Sequence, residues 1–363
     1  MRVVVVGAGV MGLPAARELA ERGHDVTVLE RYGLGNRLSS SGGSTRIWRL
    51  AHPKPFMVRN ALVMVELWRD LERRTARTLL DGGGLVARGQ FAVECYAALN
   101  EVGVDVELLD QAAQVAAFPE LTPTSHPTIR QPRAGVIRAS DALAAQARLL
   151  DAAGGRLVVG TEVREVEQRS PGVRVVTDSA VYNADVVVLA PGPWGGSLLS
   201  GLGIHVDLRP AVHQVSYFES VRAGAWREWP TLVDSSAHRG FGMYGLPTPG
   251  LGFKVGLDEP LRPFVAADLD RTPDAGRVAV TEDWVAENLP ALVPRSLHAE
   301  LCTWTDTPDL DFVVDRVGDV VVACGDSGQA FKFLPWFGEV LSDLAEGRAV
   351  PDDVAPLALS RFA

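Results

Sequence analysis

Cysteine is scarce in this chain of 363 residues: Cys95, Cys302 and Cys324 are all there are, and no two stand in a C-x-x-C pair. That excludes a disulfide framework and a cysteine-based zinc site; no metal is expected, and a reducing cytoplasm is the compartment that fits. Basic charge is also short. Lys and Arg number 35 against 45 Asp and Glu, for a formal charge of −10 and a pI near 5.3. Nucleic acid and anionic membrane surfaces recruit clustered Lys and Arg, so neither is the expected partner, and a small molecule is. No apolar run approaches the roughly 20 residues that a membrane crossing needs. The apolar opening, Val3 to Leu13, is broken by glycines and followed by Glu18 and Glu21, unlike a secretory leader. Internal repeats and low-complexity tracts are lacking too. What is abundant is apolar residue, 47% beside 22% charged, which implies a packed globular chain with a sizeable core in one large or two ordinary domains.

The chain opens on Arg2 to Val6, a β-branched run without polar alternation, as a central parallel strand buried on both faces requires. Gly7-Ala8-Gly9-Val10-Met11-Gly12 follows, then a helical pattern through Leu13, Ala16, Leu19 and Ala20 that stops at Gly23. Asp25 to Leu29 is a second strand, closed by Glu30. This is a βαβ unit of about thirty residues. The stretch to Ser44 has loop composition, and Asn60 to Arg74 and Leu143 to Ala153 read as helices. Arg156–Val159, Glu162–Gln168 and Val173–Thr177 read as short strands joined by tight turns; Val186–Ala190 and Val320–Cys324 read as apolar strands and Gly338–Ala345 as a last helix. Between about 204 and 300, alternating strands and scattered prolines suggest an antiparallel sheet with helices.

In Gly7-x-Gly9-x-x-Gly12 the glycines permit a tight turn, close backbone approach to a pyrophosphate and close helix–strand packing, with phosphate facing a helix N-terminus. Glu30 stands where a carboxylate accepts hydrogen bonds from a ribose diol, and it disfavours NADP, whose 2′-phosphate it would repel. Both NAD and FAD use such a unit. Four further stretches resemble the D-amino-acid-oxidase-type flavoprotein superfamily, most closely its monomeric sarcosine oxidase and N-methyltryptophan oxidase branch. They are Ser44-Thr45-Arg46-Ile47-Trp48-Arg49, Tyr244-Gly245-Leu246-Pro247 with Gly252-Phe253-Lys254-Val255-Gly256, Leu301-Cys302-Thr303-Trp304-Thr305 with Thr307-Pro308-Asp309, and Gly325 to Phe333. The resemblance runs from the first strand to the last helix and is weakest between about 80 and 130.

That resemblance implies an α/β chain of the glutathione-reductase-2-like FAD fold. A discontinuous Rossmann-type domain (1–82, 134–203 and 301–363) would carry the cofactor, and a mixed or antiparallel sheet with helices (83–133 and 204–300) the substrate. It implies that Arg46 lies beside the flavin, that Arg49 and Lys332 hold a substrate carboxylate, and that Tyr244 lines the pocket. Lys254 would stand above the flavin ring and promote its reaction with O2, where a fixed cation stabilises developing superoxide charge. Cys302 would bond the FAD 8α-methyl, Gly328 would lie in the cofactor loop, and the last helix would aim its positive end at the flavin pyrimidine. Independently of any family, a guanidinium is the group best shaped to grip a carboxylate.

The sequence also departs from that pattern. Ala330 replaces a glycine; Asp258 stands where the sarcosine oxidases have histidine, and Trp304 where they have tyrosine; Trp336-Phe337 fills a region usually left small. A larger or flatter substrate is implied, a cyclic or aromatic amino acid, with Asp258 free to meet a second cationic or N–H group. The expected activity is oxidation of a carboxylate-bearing amine: hydride to flavin N5, imine as product, and O2 reduced to H2O2 by a cytoplasmic monomer. The alternatives are a flavin dehydrogenase of the same fold with another acceptor, and a non-catalytic NAD-binding sensor, which would be colourless.

Overall fold

The computed structural model describes residues 1–236 and 241–362. Its first sheet has six strands, in the order Val313–Val317, Val320–Cys324, Val186–Leu189, Arg2–Val6, Asp25–Glu30 and Arg156–Val159. All neighbours are parallel except the first pair. Val3 to Val6 and Val186 to Leu189 are buried along their whole length, as the lack of alternation demanded. Gly12–Glu21 packs between Ala139–Ala152 and Leu334–Ala345 on one face. The other face is covered by an antiparallel meander, Val163–Gln168, Val173–Thr177 and Val181–Ala184, whose Val166, Val173 and Val175 pack with Val4, Val6 and Val187. The strands read from 156 to 177 therefore divide: the first joins the parallel sheet beside Asp25–Glu30, and only the later two belong to the meander.

A second sheet has nine strands, six of them from residues 204–306, together with Leu85–Arg88, Glu107–Leu108 and Thr128–Gln131. Its longest ladder pairs Arg209–Phe218 with His298–Asp306, from Arg209 opposite Asp306 to Tyr217 opposite His298. The boundary expected at 301 therefore falls inside a strand. Cys302 belongs to the second sheet, and the chain re-enters the first only at Val313. An uninterrupted ladder fixes that strand more strongly than a composition shift at its middle can signal. Along it burial alternates: Leu301, Thr303 and Thr305 are covered, while Glu300, Cys302 and Trp304 share the other face.

Two helices begin earlier than the sequence suggested, at Pro55 instead of Asn60 and at Leu334 instead of Gly338. Each has proline in its first turn, where the missing N–H costs nothing because no intrahelical acceptor awaits it. The shift matters at the C-terminal end. Trp336, expected in the substrate pocket, lies inside the helix with 2% of its surface exposed, packed against Phe312, Phe333 and Phe337. It is core, and it lines no part of the cavity described below. No described helix is long and apolar enough to cross a membrane.

Candidate active site

The first βα turn of the parallel sheet carries the glycine pattern. Gly7 has φ +95°, and a Cβ there would collide with the Ala190 carbonyl of the neighbouring strand. A Cβ on Gly12 would collide with the Gly7 carbonyl, so helix and strand touch at their backbones. Glu30 is buried and braces the turn: one carboxylate oxygen accepts from the Ala8 N–H at 2.9 Å, the other from the Tyr32 and Gly33 N–H groups at 2.9 and 3.1 Å. Gly7, Gly9 and Glu30 line a cavity of about 400 Å³ that runs on past Thr161, Trp194 and Phe264.

A second cavity, of about 1010 Å³, lies between this turn and the nine-stranded sheet. Val10, Ser39, Ser40 and Asp326 line both, so the two form one elongated cleft. Its shape and its walls fit FAD: a backbone cradle with a ribose-type carboxylate at one end, and at the other a chamber large enough for a ring system and a small substrate. Gly7, Gly9 and Glu30 would hold the nucleotide half, while Arg46, Gly328 and Cys302 border the chamber.

Arg46, Arg49, Tyr244, Lys254, Asp258, Cys302, Trp304, Gly328 and Lys332 all line this one chamber, although they come from four distant stretches of chain. Thr45–Trp48 is a strand of a small third sheet, paired with Gly135–Arg138. Arg46 donates to the carbonyls of Thr45 (2.8 Å), Ser40 (2.9 Å) and Gly42 and sits 5.4 Å from the Phe331 ring centre. Arg49 is buried, donates to the Ala51 carbonyl and lies 4.8 Å from the Phe91 ring centre. Burial lowers its affinity for a proton, and Asp258 opposes that fall. Lys332 is buried as well, and its Nζ donates to the Gln329 carbonyl at 2.8 Å. Burial, and then Arg49, pushes this amine well below the ordinary lysine range. Neither cation has a carboxylate partner among the described residues.

Lys254 projects from the strand Gly252–Leu257, donates to the Thr45 carbonyl (3.1 Å) and hydroxyl (3.0 Å), and lies 5.5 Å from the Tyr217 ring centre. The same Thr45 carbonyl accepts from Arg46, and the Thr45 hydroxyl also meets that of Thr248 at 2.8 Å. One threonine thus anchors both cations. Burial, then Arg46, brings the Lys254 amine down to about 7, against the opposing influence of Cys302 and Glu300. Tyr244 lies across Gly256, where a Cβ would strike its ring. Cys302 is half-buried and Asp258 exposed, and both line the chamber. Burial raises the Cys302 thiol, with Arg46 and Lys254 opposing; burial raises the Asp258 carboxyl to about 6, with Arg49 opposing.

Three contributors escaped the sequence reading. Thr45 has no signal beyond its place in the Ser44–Arg49 motif. His52 is 1% exposed and lines the chamber, with an Nε2 that has no partner. Burial, then Arg49 and Lys332, holds it well below the usual histidine range, so it is neutral. Asp326 sits at the seam of the two cavities. Its carboxylate accepts from the Thr305 N–H at 2.8 Å and from Ser40 at 3.4 Å, and burial raises it to about 7. With the bond from the Ser327 N–H to the Thr305 carbonyl (2.9 Å), it docks the Gly325–Gly328 loop on the outer edge of the Cys302 strand. A composition signal did exist for the cations: the chain has only three lysines, Lys54, Lys254 and Lys332, and all three line this chamber.

The family described as "DAO: FAD dependent oxidoreductase" matches residues 2–344. Monomeric sarcosine oxidase of Streptomyces avermitilis is 32% identical over 360 residues, spanning 94% of this chain and 93% of that protein. Peroxisomal sarcosine oxidase of Homo sapiens is 30% identical over 99% of this chain and 95% of its own. Among solved structures, the open form of NikD, an unusual amino acid oxidase essential for nikkomycin biosynthesis, matches with a TM-score of 0.87 at 28% identity, covering 98% of this chain and 96% of NikD.

Proposed function

The chain belongs to the DAO family of FAD dependent oxidoreductases, and from that premise we propose that it oxidises the C–N bond of a carboxylate-bearing secondary, cyclic or aromatic amine and uses O2 as acceptor. The observation that carries the proposal is the pair Arg49 and Lys332, two buried basic side chains with no carboxylate in salt-bridge contact, facing the chamber that Lys254 and Cys302 also face. Buried charge is costly unless paired, so such a site waits for an anion. FAD, when bound, supplies the acceptor for a hydride from the carbon beside the nitrogen, leaving an imine, and passes the electrons to O2 as H2O2.

The protein's own groups do the rest. Arg49 and Lys332 bind the carboxylate and so fix which substrate carbon is presented. Tyr244 and Trp304 bound the chamber and keep water from it, and Asp258, across from Arg49, receives a cationic or N–H group of the substrate. Because the Asp258 carboxyl titrates at about 6, it is ionised and able to do so at neutral pH. Lys254, held by Thr45, provides the cation for the oxygen half-reaction. Cys302 would hold the cofactor through a thioether, a role supported by its place on the chamber face of its strand, and the protein works as a monomer.

The first test is a visible spectrum before and after acid precipitation, with intact mass of the pellet. The expected result is flavin colour that stays with the pellet, and release of that colour by Cys302→Ser without loss of the fold. Colour entirely in the supernatant would remove the covalent link alone. The second is peroxide production with N-methyl and cyclic amino acids against their decarboxylated counterparts, which should be poorer by about 10²-fold or more, since the buried Arg49 is then left without its anion. Equal rates for both sets would refute the carboxylate assignment, and rapid turnover with a quinone but not with O2 would favour a dehydrogenase.

A further inference from the structure

Arg49, His52 and Lys332 all line the chamber, each more than nine-tenths buried, and they feel one another's charge: Arg49 and Lys332 act on His52, and Arg49 on Lys332. The surroundings offer little to neutralise them. Lys332 meets the Gln329 carbonyl and the Phe333 ring, at 2.8 and 5.9 Å, and Trp68 from the long helix uses its indole N–H on the Lys332 carbonyl, not on the ammonium. The rim carboxylates are committed elsewhere, Asp311 to Lys54 at 2.6 Å and Asp309 to Arg361 at 2.8 Å; Glu94, exposed, accepts from Gln90. Asp258 lines the same chamber and its charge favours the Arg49 cation. The Arg49 guanidinium cannot give up its proton in a protein. His52 is neutral and its Nε2 is unpartnered. Of the two adjoining cations, only Lys332 is able to relieve the repulsion, by losing a proton.

Resting on the carboxylate reading above, we propose that substrate capture in this cluster is proton-coupled: Lys332 is neutral in the empty chamber and takes one proton from solvent as the carboxylate settles between it and Arg49, with His52 neutral throughout. Only a proton moves, from buffer to Nζ; no other bond changes and no electrons are transferred. The site then holds two cations against one bound anion, while the empty site holds one cation. Recognition thus depends on the anion itself, since an uncharged amide of the same shape cannot draw the second proton in.

Linkage gives the sign. Where the empty-site amine is neutral and the liganded one is protonated, Kd for a carboxylate rises about tenfold per pH unit. The test uses the flavin-loaded protein and non-oxidisable probes, acetate, benzoate and cyclohexanecarboxylate. Binding is followed by flavin difference spectra against pH and by titration calorimetry at about pH 8, below the ordinary lysine pKa, in two buffers of different ionisation enthalpy. About one proton taken up per carboxylate is expected. Lys332→Met and Lys332→Arg should each abolish the uptake, and His52→Gln should keep it; melting temperature and flavin content report whether each variant has folded. Carboxylate binding with no proton uptake in the unaltered protein would overturn the inference and leave the carboxylate site standing. Uptake that survives Lys332→Met, or disappears in His52→Gln, would overturn the assignment to Lys332. Failure of all three probes to bind would instead sink the carboxylate reading itself.

Discussion

Arg49→Met is expected to lower kcat/KM for a carboxylate-bearing amine by about 10³-fold, while flavin content stays unchanged. A buried, hydrogen-bonded charge pair broken by removing one partner costs about 2–5 kcal/mol, and each 1.36 kcal/mol is tenfold in rate. The upper half of that range applies, because the bound carboxylate would keep only Lys332, and a lysine is a point charge where a guanidinium is a fork. Methionine keeps much of the stem volume against the Phe91 ring, so packing is not what is tested. The effect on the empty protein should have the opposite sign. Arg49 is buried without a carboxylate partner, so the variant should melt no lower than the parent. Steady-state kinetics at saturating O2 and a thermal melt decide both halves. A loss smaller than tenfold, or a drop of many degrees in Tm, would show Arg49 to be a structural residue.

That opposition between activity and stability is how the site differs from the rest of the chain. In the parallel sheet, local pattern and tertiary demand agree. Val3 to Val6 are apolar because both faces are covered, and Gly7 and Gly12 are glycines because backbone stands where a Cβ would be. Residues of that kind are legible in a sequence, since the reason for each lies within a few positions of it. The cations were legible only through motifs that resemble a family; nothing local to Lys332 says that Arg49 adjoins it. His52 and Asp326 went unread for the same reason. The charge state of His52 is set by Arg49 and Lys332, and that of Asp326 chiefly by burial at the seam between two sheets. Trp336 departs from expectation for the converse cause. Its neighbours in sequence are site residues, but a helix that starts at Leu334 turns its indole into the core formed with Phe312 and Phe337. The same holds at Cys302, whose sheet is fixed by nine pairings with a strand some ninety residues earlier, at Arg209–Phe218, and by nothing in its own surroundings.

Lys254→Met should separate the two half-reactions. The step in which substrate reduces the flavin is expected to change by less than about threefold, because the carboxylate cradle of Arg49 and Lys332 is untouched. The reaction of the reduced enzyme with O2 should slow by about 10²–10³-fold, the loss that follows removal of one preorganised group facing a developing anion. Lys254 suits this task because it is held before the event: Thr45 accepts from it twice, and the Tyr217 ring lies beneath it. Its charge also makes the oxygen step sensitive to pH. Burial and Arg46 bring the amine to about 7, so the cation is present below that value and is lost as pH rises through it. Negative charge on the reduced flavin would hold the proton to higher pH, so the fall in the O2 rate should come at 7 or above, never below. Stopped-flow measurement of each half-reaction across pH checks all three points. Equal slowing of both steps in Lys254→Met would mark the lysine as a structural support. Unchanged O2 reactivity would remove it from the oxygen half-reaction and strengthen the case for an acceptor other than O2.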